Sequence, residues 1–159
     1  MAGNCLCARF KAPQPLTSED AMEVRVSQVK GVQFSVKTRT HELVSDQPVE
    51  NGGKDTGMTP PELLLGALGT CAAYYAVEYL QMRKLAEAGV KVRVTAEKLN
   101  QPARLGGFVV TVSCPVPLTD AHNQGLLRAV HHCLIHNSLA SPGEIRVETT
   151  TMNPVLTGS

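Results

Sequence analysis

Thr59 to Leu85 reads TPPELLLGALGTCAAYYAVEYLQMRKL, and the fold of the chain turns on what this stretch becomes. Thr59 is a good N-cap, Pro60 suits the first helical position because its missing N–H has no partner to lose there, and Glu62 completes a T-x-x-E capping box. From Leu63 to Val77 no residue is charged, about 15 residues where a bilayer span needs about 20, and Glu78, Arg83 and Lys84 follow at once. The pattern predicts a core helix running to about Glu87, roughly 40 Å long at about 1.5 Å per residue. Gly66 and Gly69 each cost a helix roughly 1 kcal/mol relative to alanine, which predicts another backbone packed close on that side. Cys71 lies among these small residues. By residue type alone an unpaired helical cysteine is a small buried hydrophobe, with a reactive thiol as the alternative.

Bulk properties bound the rest. The 159 residues suit one domain that buries about two-thirds of its extended surface. Fifteen Lys+Arg against 14 Asp+Glu, with no long basic run, give no electrostatic footprint for nucleic acid or an anionic membrane, so neither is expected as a partner. The N-terminal MAGNCLCARFKAPQPL lacks the apolar core of a secretory signal, and a cytoplasmic protein is expected. Five cysteines in a chain with this much core-forming material do not make a disulfide scaffold; any pairing is read as redox-active rather than structural.

Residues 1–21 have no sustained period and predict a peripheral arm, in which Cys5 and Cys7 are exposed thiols; residues 22–159 form a single domain. Met22 to Val29 and Val32 to Lys37 alternate in period two around a turn at Lys30-Gly31, and Thr40 to Ser45 is a third short strand. A glycine-rich polar loop from Asp46 to Met58 follows, without a phosphate-binding signature. After the helix come strands at Val90 to Lys98 and about Gly107 to Cys114, where Cys114 is a packed, inert thiol. A second helix is expected from Thr119-Asp120 to about Ile135, and a last strand from Glu144 to Thr150. The order βββ-α-ββ-α-β predicts an α+β fold, a largely antiparallel sheet with a long central helix on one face. Dimerisation would cover both the sheet edges and the apolar helix.

Asp46-Gln-Pro, Gly52-Gly-Lys-Asp-Thr-Gly57, Thr59-Pro-Pro-Glu-Leu-Leu-Leu-Gly-Ala-Leu-Gly-Thr-Cys71 and Cys133-Leu-Ile-His-Asn-Ser-Leu139 resemble the OsmC/Ohr family, the osmotically inducible protein C and organic hydroperoxide resistance proteins. The likeness extends from about residue 22 to residue 151. It implies an intertwined homodimer with active sites at the subunit interface, and peroxidase chemistry on organic hydroperoxides. Cys71 is then the attacking thiol, Cys133 resolves its sulfenic acid as a disulfide, and an external dithiol reduces that disulfide. No cofactor is implied.

The family's peroxidases also carry a glutamate directly after the motif proline and an arginine from the first hairpin region, which together activate the thiolate. The glutamate position is Pro61 here. Glu62 is the nearby candidate, but nine steps of about 100° place it across the helix from Cys71, and the capping box explains it equally. Arg39 is the favoured arginine, with Lys30 and Lys37 as its neighbours in that region. On the Cys71 face lie Leu64, Ala67, Leu68, Tyr74, Tyr75 and Glu78. His132 and His136 bracket Cys133 at i, i+4, too few ligands for a metal, while His131, His132 or His136 would suit stabilisation of a Cys133 thiolate. His41 and His122 are read as solvated. The displaced glutamate keeps a second reading open, an OsmC-like protein without efficient peroxidase activity that has another redox role or binds an apolar small ligand at the dimer interface, between Leu64, Leu68, Tyr74 and Tyr75.

Overall fold

A computed structural model describes residues 22–151, so Cys5, Cys7 and the arm expected over residues 1–21 lie outside the described residues. The element order is β1 (Arg25–Lys30), β2 (Gln33–Thr38), β3 (His41–Ser45), α1 (Pro60–Met82), β4 (Lys91–Asn100), β5 (Ala103–Ser113), α2 (Asp120–Val130) and α3 (Leu134–Ala140), with a 3-10 turn at Val49–Asn51. Both sheets are antiparallel, in the orders β1-β2-β3 and β4-β5. The chain forms two compact units that meet in sequence between Thr59 and Pro60.

In the first unit, Gly31 takes a left-handed φ of 56° to turn β1 into β2, and Arg39 does the same at 51° between β2 and β3. Every β1 residue is exposed, so its period-two alternation buries neither face against the described residues. After β3 the chain is organised by Asp46, which is 1% exposed. Its carboxylate accepts the N–H groups of Gln47 at 2.8 Å, Lys54 at 3.1 Å and Thr56 at 3.2 Å, and the Thr56 hydroxyl at 2.7 Å. The polar loop from Asp46 to Met58 is thus folded around one acceptor and closes on β3 through a Ser45–Met58 bridge. Gly53 and Gly57 are needed because a Cβ there would strike the carbonyls of Gln47 and Val44.

In the second unit α1 packs against β4, β5, α2 and α3. It is long and apolar enough by length and composition to cross a membrane, and within this unit one stripe of it is buried. Leu68, Ala72, Ala76 and Leu80, four residues apart, form its buried stripe, and Leu126 of α2 joins Ala76 and Leu80 in the core. Each such leucine contributes roughly 1.5–3 kcal/mol of burial, and the alanines let neighbouring elements approach. Gly69 does meet a close neighbour, but it is the Val94 side chain at 3.1 Å from where a Cβ would stand, and Gly66 has none within 4 Å. The backbone contact expected from the two glycines is therefore replaced by packing of β4 side chains.

Helix α1 stops at Met82, short of Glu87. Lys84 turns left-handed with φ 55°, its N–H bonds Gln81 O at 2.9 Å and the Leu85 N–H folds back to Leu80 O at 2.9 Å. This is a Schellman ending. Two further expectations are corrected. The second helix is two, α2 and α3, separated at His131 to Cys133. Glu144 to Thr150 has no regular secondary structure and no ladder partner among the described residues, leaving Ile145 and Val147 exposed.

Candidate active site

The break between α2 and α3 builds the site. At the end of α2 the bonds tighten to three-residue spacing, His132 N–H to Ala129 O at 3.0 Å and Cys133 N–H to Val130 O at 3.1 Å. Cys133 then leaves the helical region with ψ 121° and becomes the N-cap of α3, its Sγ accepting the His136 N–H at 3.3 Å. The side chain does for α3 what Thr119, accepting the His122 N–H at 3.3 Å, does for α2. The sequence reading placed Cys133 inside a helix and so missed this cap. Signals for caps rest on Ser, Thr, Asp and Asn, and a sulfur acceptor falls outside them.

Cys133 is fully buried. Burial pushes its thiol above the ordinary range, and hydrogen bonding and charge interaction with Cys71 push it the same way; the His136 and Ile135 amides pull in the other direction. Cys71, half-buried on α1, acts on that thiol from a separate helix. Both are free thiols, as is Cys114, which is raised by burial against the core.

The wall that holds Cys133 lines a half-open cavity of about 340 Å³. Leu68 and Ala72 of α1, Phe108 and Val110 of β5, and Leu127 and Val130 of α2 make it apolar; His131, His136, Leu139 and Ala140 complete it. The two imidazoles pack edge to face with centroids 5.0 Å apart. His132 is not in the cavity wall. Among the described residues no three His, Cys, Asp or Glu side chains gather as metal ligands.

Other candidates lie elsewhere. Tyr74 is 62% exposed and packs edge-on with Tyr75, and neither of them, nor Leu64 or Glu78, lines this cavity; of the expected apolar set only Leu68 does. Glu62 is in the first turn of α1, about 14 Å along the axis from Cys71 and on the opposite side of the same helix. Arg39 is exposed at the β2–β3 turn in the first unit. His122, read as solvated, is half-buried and shares a hydrogen bond of 3.2 Å with the Tyr79 hydroxyl.

Comparison with known proteins follows the same lines. A family model described as OsmC-like protein matches residues 52–148, a span holding Cys71 and Cys133. In fold the chain is similar to a candidate osmotic stress induced and detoxification response protein from Psychrobacter arcticus, with TM-score 0.67, 20% identity, and coverage of 80% of this chain and 91% of that one. It is also similar to an OsmC like protein from Mycoplasma pneumoniae, with TM-score 0.67, 15% identity, and coverage of 78% and 90%. An organic hydroperoxide resistance protein OsmC from Legionella pneumophila aligns with TM-score 0.57, 14% identity, and coverage of 80% and 93%. No curated protein matches the chain by sequence. With the family model covering more than half of the chain and the α+β architecture shared, this protein belongs to the OsmC family.

Proposed function

We propose that the protein is a cysteine-based reductase of organic hydroperoxides, acting in oxidative-stress defence in the cytoplasm. The observation that supports this is the meeting of two thiols from separate helices beside an apolar cavity. The Cys71 thiolate attacks the O–O bond; a sulfenic acid forms on Cys71, and the expelled alkoxide takes a proton and leaves as the alcohol. The Cys133 sulfur then attacks the sulfenic sulfur, forming a disulfide and releasing water. An external dithiol reduces that disulfide by exchange, restoring both thiols and becoming oxidised itself.

In this reading Arg39, the arginine that the family likeness favours, supplies the positive charge that a reactive thiolate needs. Glu62, across α1 from Cys71, serves the helix start instead. The two units are halves of one domain, completed in a homodimer. Consumption of cumene hydroperoxide with dithiothreitol as reductant tests the proposal. Cys71→Ser should lower turnover at least about a hundredfold, as loss of a nucleophile does. Wild-type turnover no better than that of Cys71→Ser sinks the reading.

Pro61 at the family's glutamate position favours one alternative, an OsmC-like protein whose cavity holds an apolar small ligand without efficient peroxide turnover. It predicts that binding of an apolar fluorophore survives loss of both Cys71 and Cys133.

A further inference from the structure

Helix α3 has only seven residues, none fully buried, a length at which a helix does not hold itself in water. Its start depends on one side chain, the Cys133 sulfur that accepts the His136 N–H at 3.3 Å. The same helix supplies His136, Leu139 and Ala140 to the cavity wall, and Cys133 is 0% exposed behind it. These facts pose a difficulty for the proposed cycle. The external dithiol must approach a disulfide of which one sulfur has no access to solvent in the reduced protein.

We propose that the Cys133 sulfur is a redox-controlled cap, holding α3 closed over the cavity as a thiol and releasing it once it is bonded to Cys71. The inference rests on the disulfide proposed above. A thiol or thiolate sulfur is free to point at the α3 amides. A disulfide sulfur is tied by its second bond to α1, which turns it away from those amides. Oxidation therefore removes the cap from a seven-residue helix, and α3 frays from its first turn. The wall formed by His136, Leu139 and Ala140 then parts, and the disulfide meets the reductant. When the dithiol has taken the disulfide bond, giving two thiols here and a disulfide of its own, Cys133 caps α3 again. Access to the oxidised site is thus created by the oxidation itself. The reduced protein keeps the Cys133 sulfur out of the dithiol's reach, while Cys71 stays half-exposed.

Amide hydrogen exchange on the full chain tests this, comparing residues 134–141 in the reduced protein and in protein oxidised with cumene hydroperoxide, with the disulfide verified by mass spectrometry. The α3 amides should exchange about fivefold faster after oxidation, the usual consequence of a lost N-cap, while α2, capped by Thr119, should not change. Cys133→Ala should show the faster exchange without any oxidant, and Cys133→Ser, which keeps a capping oxygen, should stay near the reduced wild type. A verified disulfide with unchanged α3 exchange overturns the inference and leaves the peroxidase reading intact. Cys133→Ala with wild-type protection overturns it as well. Failure of any Cys71–Cys133 disulfide to form removes the reading and the inference together.

Discussion

Asp46 shows how one side chain organises a loop and gives it a pH dependence. The Thr56 hydroxyl above all, then the amides of Gln47, Thr56 and Lys54, hold its carboxyl at about 2 against the opposing effect of burial. A folded-state value below the unfolded one means that this stabilisation is fully present above the ordinary carboxylate range near 4 and is lost as pH falls toward about 2. Amide exchange over residues 47–57 should accelerate across that window, and Asp46→Asn should raise exchange at neutral pH and flatten the acid dependence. Gly125 makes a second case at this scale. A Cβ there would lie 2.7 Å from the Tyr79 ring, whose hydroxyl also holds His122, so Gly125→Ala should cost about 1–3 kcal/mol in chemical denaturation. Both effects concern residues whose importance comes from what is folded over them.

Among the elements, α1 combines a start set locally with an end set by its surroundings. Pro60 begins it where the capping pattern placed it, within one residue. Its end is a left-handed Lys84, a conformation that costs an L-residue about 1–2 kcal/mol and glycine almost nothing. Leu85 compensates by packing on the core that contains Leu80. Lys84→Gly should therefore raise stability by about 1 kcal/mol in urea denaturation, without changing the helix end. The α2–α3 break follows the same logic in reverse. His131 and His132 carry no breaker signal, and the chain turns there because Cys133 finds the α3 amides with its sulfur.

At the scale of the molecule, the two units each leave apolar side chains uncovered. Val26 and Val29 of β1 are more than half exposed, and so are Ile145 and Val147 in the segment expected to be the last strand. A second copy is the economical cover for such faces, and the homodimer proposed here should appear in sedimentation equilibrium at twice the 17.0 kDa chain mass. Val26→Lys, placing a charge in that face, should weaken self-association about tenfold or more while leaving the circular dichroism of the chain unchanged.

Short-range chemistry is legible in the residues alone. The capping box and Pro60 locate the start of α1, the period-two runs locate five strands, and the shared motifs name the family. Tertiary structure decides every feature that depends on distant partners. These include the burial of Asp46 under its own loop, the Schellman stop at Lys84, the role of Cys133 as a cap, and the cavity shared by α1, β5, α2 and α3. The alternation from Glu144 to Thr150 makes the distinction plain. Side-chain pattern is a property of the segment itself, and this one reads as a strand. A strand exists only when a neighbour offers its amides and carbonyls, and that is a property of the fold.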